Sequence, residues 1–350
     1  MRTSATTSPL TSSAGYSLVE LLISMLLGLF LLTGAYQTSL TNKKANRLHK
    51  TLQETQKNGR FAIDNLSYAI KTAGYSGFYG TFSSGVENLL NTPVDQKWNI
   101  SIPVSGFNNV NSSDTIAGIT GFTPNTDVLL LKGMNSNSVP VISNTNPSTL
   151  VVATASAFSA GDLVVVSDVD QASVFQVNTV SSTTTTSSVT LAAGGSSPGN
   201  SALLSNSYNS DAEIGKYDVQ MFYIKNGLNG APALFKTAIV NSGGSIQFQE
   251  IELVSDIKNM QISYGIDNNN DQILDEYKDA STIADWSQLI SINVVLLASS
   301  NNDNIVPEAS SFSFDANLVT FVRDTVASAG ADKRLKRVFR TYVPLRNSRS

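Results

Sequence analysis

Glu20 is a single carboxylate set inside an apolar run. It follows Ala14-Gly-Tyr-Ser-Leu-Val19, and from Leu18 to Tyr36 only Glu20, Ser24, Gly28, Thr33 and Gly34 interrupt the apolar side chains. A helix of that length spans roughly 28 Å, about one bilayer core. An acid without a partner in such surroundings costs several kcal/mol, so its placement marks a functional site. A second group of oxygen donors lies in Asp267-Asn-Asn-Asn-Asp271-Gln-Ile-Leu-Asp275-Glu276. Asp267, Asn269, Asp271, the Ile273 carbonyl and Asp275 occupy alternate positions, the spacing with which a flexible loop holds calcium. Gln272 stands where a turn glycine is usual and Lys278 where a bidentate acid would be, so Glu276 is the substitute ligand. Asn and Asp also favour plain polar turns, and both readings stay open.

Other chemistries are thinly represented. The chain has no cysteine, which excludes disulfides and thiolate metal sites. Its one histidine, His49, lies among basic residues and reads as a solvated surface group. No phosphate-binding glycine loop occurs. The net charge of −4 gives no overall nucleic-acid footprint. One basic segment remains, with Lys333, Arg334, Lys336, Arg337, Arg340, Arg346 and Arg349 uninterrupted by an acid. It reads as an edge strand protected by charge, with contact to DNA or a partner protein as the alternative.

The elements that position these groups follow from periodicity. Residues 1–15 form a short polar leader. Residues 16–75 form one helix, which starts in lipid and ends in a globular head. Beyond its apolar part, Leu48, Leu52, Ala62, Ile63, Leu66, Ile70 and Ala73 recur at helical spacing, interrupted near Gln56–Arg60. Gly74 and Gly77 end the helix. Residues 76–350 make a β-rich head. Within it, about 107–210 reads as an inserted β-module of short runs such as Asp127–Lys132, Thr149–Ala153, Asp162–Ser167, Ser173–Val180 and Ser188–Leu191. Ser181–Ser187 reads as a solvated loop. Stronger runs follow at 219–224, 234–236, 245–250, 260–264, 291–297 and 337–343. Charged residues make up 14% of the chain, below the roughly 25% usual for soluble domains, which suits an exported surface protein.

Gly15, Tyr16 and Glu20 together resemble the class III signal of type IV pilins. The chain as a whole resembles the PilW family of minor pilins, through Gly15–Leu22, Asn58–Leu66, Ala73–Tyr75, Ala231–Phe235, Met260–Asp267, Trp286, Ile290–Leu297, Arg334–Phe339 and Val343–Asn347. It departs from that pattern in lacking cysteines and in carrying Tyr16 where phenylalanine is usual. The resemblance implies an α+β fold with the long helix packed on an antiparallel β-sheet head. It further implies that prepilin peptidase cuts between Gly15 and Tyr16, that the new amine is methylated, and that Glu20 docks against the Tyr16 amine of a neighbouring subunit. The implied role is structural rather than enzymatic: priming of type IV pilus assembly at the fibre tip, connected with twitching motility and DNA uptake. The implied partners are other minor pilins, the major pilin and the inner-membrane assembly platform. The head would lie in the periplasm before assembly and outside the cell afterwards. Two alternatives are a J-type pseudopilin of type II secretion and an adhesin or DNA-binding module at the tip. Lys43, Lys44, Arg47 and Lys50 follow the apolar run and by count favour the opposite orientation, but large domains are exported largely regardless of such charges.

Overall fold

A computed structural model describes residues 17–79, 86–92, 95–153, 158–195, 198–306, 310–315, 318–323 and 332–346. The chain divides into two compact units, Met1–Thr51 and Leu52–Ser350. One helix, Leu18–Thr72, runs from the first into the second.

In the first unit the apolar helical residues are exposed. The hydroxyls among them bond back along the helix: Ser24 Oγ donates to the Glu20 carbonyl at 2.8 Å and Thr33 Oγ1 to the Leu29 carbonyl at 2.9 Å. Hydroxyl groups are thereby satisfied without water. In the second unit a buried face runs through Thr55, Gly59, Ala62, Leu66, Ala69, Ile70 and Ala73. The apparent interruption near Gln56–Arg60 is therefore filled by small residues. A Cβ on Gly59 would collide with the Phe339 ring, so the absent side chain is what lets that ring lie on the helix. Gly74 adopts φ +76°, the left-handed conformation that terminates a helix. Its N–H donates to the Lys132 carbonyl at 2.8 Å.

The head is built on a 12-stranded sheet and a four-stranded sheet. The long strand Glu213–Asn226 organises the first. Its opening residues pair with Leu163–Ser167 and Val139–Asn146, and its later residues with Thr126–Met134 and Pro232–Ser242. Nearly all pairs are antiparallel; Val86–Asn88 beside Ala172–Gln176 is parallel. The four-stranded sheet runs Glu276–Lys278, Ile257–Ile266, Leu289–Ser299, Lys336–Pro344, all antiparallel. A separate hairpin joins Ser310–Asp315 to Leu318–Arg323. The helix face packs in one core with Val104, Leu129, Leu131 and Phe222 of the large sheet and with Ile262, Val294, Leu296 and Val343 of the small one. Further cores form around Trp98, Val128, Tyr217 and Tyr223, and around Leu150, Val166, Phe175 and Tyr208. This is an α+β architecture: one long apolar N-terminal helix and a large antiparallel β-sheet head.

The run read as one strand over Ser173–Val180 is two strands, Ala172–Gln176 and Thr179–Ser182. Between them the chain changes partner: Val177 N–H donates to the Asp162 carbonyl and Asn178 N–H to that of Thr190. The Ser/Thr tract is a loop only in its middle: Ser181 and Ser182 end one strand, Ser187 opens the next and is buried, and the turn between them is closed by a bond from the Thr183 N–H to the Thr186 carbonyl at 2.8 Å.

Candidate assembly and binding sites

Gly15 and Tyr16 lie outside the described residues. Glu20 sits in the first helical turn, where the positive end of the helix dipole favours a carboxylate. Its side chain is exposed, and so are Leu18, Val19, Leu21 and Leu22 around it. Among the described residues it has no ion-pair partner. From Leu18 to Tyr36 the helix therefore presents one charge on an otherwise apolar surface, an arrangement suited to receiving a cation from outside the chain.

The oxygen-rich loop follows the strand Ile257–Ile266, with Asp267 fully buried. One Asp267 oxygen accepts the Gln272 N–H at 2.8 Å and the other the Asp271 N–H at 3.3 Å. Asp271 accepts the Ile273 N–H at 2.8 Å and Asp275 the Asn268 N–H at 2.7 Å. Asn269 Oδ1 accepts the Asp271 N–H at 3.1 Å. Glu276 is held by Lys278 at 2.8 Å, which keeps its carboxyl below the usual range. Asn270 and Gln272 take φ of +62° and +66°, conformations that glycine adopts more easily. Asp267, Asp271 and Asp275 thus face the loop's own backbone N–H groups. Among the described residues, no three histidine, cysteine or acidic side chains gather to hold a metal ion. This geometry fits a turn closed on itself.

The basic segment forms the edge strand Lys336–Pro344, as its charge pattern predicts. Asp332 gathers Lys258 at 2.9 Å, Lys336 at 3.1 Å and Arg334 at 3.7 Å. Partial burial pushes this acid up, yet the hydrogen bonds from Lys258 and Lys336 prevail and hold it at about 2. Arg337, Arg340 and Arg346 stay exposed, and Arg349 lies outside the described residues.

Several buried charged groups lie outside the sites expected from sequence, Asp127 and Lys132 among them. Lys132, in the fully buried strand Thr126–Met134, is 1% exposed. Its ammonium donates to the Gln96 carbonyl at 2.7 Å. Burial lowers its pKa to about 7, against the pull of Asp95. A lysine closing a run of β-formers is the only trace that this leaves in the sequence.

Residues 10–36 match the prokaryotic N-terminal methylation motif, and residues 221–347 match the family described as type IV pilus-assembly protein W. The chain is a prepilin-like protein similar to the PilW family. The first match contains Gly15, Tyr16 and Glu20; the second contains the four-stranded sheet and the basic edge strand. No curated protein and no solved structure matches this PilW-like chain. The matches and the apolar helix fit a membrane-anchored, type IV pilus-related pilin, and pilin-family domains are structural components.

Proposed function

We propose that this protein is a minor pilin that primes type IV pilus assembly at the fibre tip together with other minor pilins. The observation that carries the reading is Glu20, a lone carboxylate in the first turn of an exposed apolar helix, on a chain whose C-terminal third is PilW-like. Prepilin peptidase cuts after Gly15, and the released amine at Tyr16 is methylated. The protein waits in the inner membrane with its head in the periplasm. On extraction into the fibre, Glu20 pairs with the Tyr16 amine of the adjoining subunit, because pairing removes much of the cost of a charge in apolar surroundings.

The size of the head supports the tip. About 275 residues correspond to a radius of gyration of roughly 19 Å by length scaling. Such a head would obstruct a neighbour stacked above it, whereas at the tip open heterologous contacts let the shaft grow from beneath. The PilW match favours the pilus over a type II secretion pseudopilin.

Two substitutions test the reading. Gly15→Lys should leave the leader attached, as read by mass spectrometry of the membrane protein; normal trimming would contradict it. Glu20→Val should be processed and reside in the membrane but fail to enter fibres. Wild-type levels of that variant in purified fibres would remove Glu20 from the docking role.

A further inference from the structure

A cleft of about 450 Å³ opens where the helix ends. Tyr68, Lys71 and Tyr75 line it from the helix end, Met134 from the strand Thr126–Met134, Asp218 from the strand Glu213–Asn226, and Arg346 from the segment after the last strand. We propose that this cleft takes a carboxylate-bearing segment of a neighbouring pilus subunit. Lys71 and Arg346 grip the carboxylate, and Tyr68 packs on the apolar part of the segment. The proposal rests on the pilin reading above.

Three observations carry it. The first is charge. Neither Lys71 nor Arg346 has an acidic partner among the described residues, whereas Lys258, Arg334 and Lys336 converge on Asp332. The one acid of the cleft, Asp218, is engaged by the Gln220 amide. Lys132 also lines the cleft, but its ammonium is taken by the Gln96 carbonyl; Lys71 and Arg346 remain, against one occupied acid, and the excess complements a carboxylate. A guanidinium and an ammonium lining one cleft are well suited to one, through charge-assisted hydrogen bonds.

The second is exposure. Tyr68 is 72% exposed on the outer side of the helix. An aromatic ring so placed offers contact area at low entropic cost to a partner.

The third is rigidity. The turn after the helix is bonded to the strand beneath it, with Gly74 N–H donating to Lys132 at 2.8 Å and Met134 N–H to Tyr75 at 2.6 Å. A Cβ on Gly133 would lie 3.3 Å from the Tyr75 carbonyl oxygen, so the strand and the turn are in close contact. Arg346 is placed by its neighbour Leu345, whose N–H donates to the Ile290 carbonyl at 2.9 Å. A cleft held by backbone bonds loses little freedom on binding. Lys71 also complements the carbonyl end of the helix, but no such role accounts for Arg346.

The test uses the full-length chain in piliated cells, with photoreactive p-benzoylphenylalanine replacing Tyr68 and, separately, Leu27 of the apolar helix. Light should crosslink the Tyr68 probe to another pilus subunit. The combined substitutions Lys71→Glu and Arg346→Glu should reduce that adduct at least about tenfold, the effect of losing one good charge-assisted bond, while Lys71→Arg with Arg346→Lys retains it. Both side chains are exposed, and an unchanged melting temperature checks that the reversed protein is folded; if it falls, Lys71→Gln with Arg346→Gln takes its place. An adduct that survives loss of the charges overturns the carboxylate grip. No adduct from Tyr68 while Leu27 captures a subunit overturns the cleft and leaves the pilin reading standing. No adduct from either position overturns both.

Discussion

Lys132 and Asp267 are each buried, and each makes a prediction that isolates its own chemistry. The folded pKa of Lys132, about 7, lies below the 10.5 of an exposed lysine. The unfolded chain thus binds more protons between those values, and stability rises with pH across that window. Below about pH 7 the lysine is charged in both states, and the burial cost is fully present. Lys132→Met should raise stability at pH 6 by on the order of 1–4 kcal/mol, with the gain shrinking toward pH 10 as the bond to Gln96 is lost without relief of a charge. Thermal melts of the full chain in detergent would show this, and a variant weaker at pH 6 would contradict it. Asp267→Ala removes two backbone bonds at a fully buried position. It should cost about 1–3 kcal/mol, and equally in EDTA and in calcium. A loss confined to calcium-containing buffer would show that a cation, rather than the backbone, satisfies the acid.

At the scale of elements, the contact of Gly59 with Phe339 ties the helix to the edge strand Lys336–Pro344. Gly59→Leu gains about 1 kcal/mol of helix propensity but meets the ring, so a net loss of about 1–3 kcal/mol is expected. Phe339→Ala in the same chain should recover part of it, and a double-mutant cycle reads the coupling. Additive effects would mean the ring moves aside freely. This contact also shows what a sequence conceals. The stripe Ala62, Leu66, Ile70, Ala73 is visible because its residues are apolar, whereas its continuation through Thr55 and Gly59 is visible only once Phe339 is in place. The strand Val139–Asn146 carries Pro140 in its apolar first half and is polar from Ser143 to Asn146, so it escapes an alternating hydrophobic pattern. The strand Val104–Val110 shifts register between Phe107 and Val110, with Asn109 at φ +50°, which breaks its alternation. Glu213–Asn226 is readable only in its apolar second half, although Glu213 is buried too. Glu20 was legible because a charge in an apolar run is costly wherever the helix lies. Asp267, Asn269, Asp271 and Asp275 were legible as donors, but their acceptance of backbone N–H groups depends on loop conformation. That Lys71 and Arg346 line one cleft is a tertiary fact and leaves no local trace.

At the scale of the molecule, a helix whose apolar first part, Leu18 to Tyr36, holds one acid continues into a large β-rich head. A shaft subunit must repeat, and its head must tolerate neighbours on both sides; a priming subunit needs contacts only beneath. The account therefore predicts few copies per fibre and few or no fibres without the protein. The most direct measurement is immunogold labelling of the head on intact pili, seen by electron microscopy. Gold should mark fibre ends, about one cluster each; gold spaced regularly along the shaft at major-subunit density would contradict the priming role.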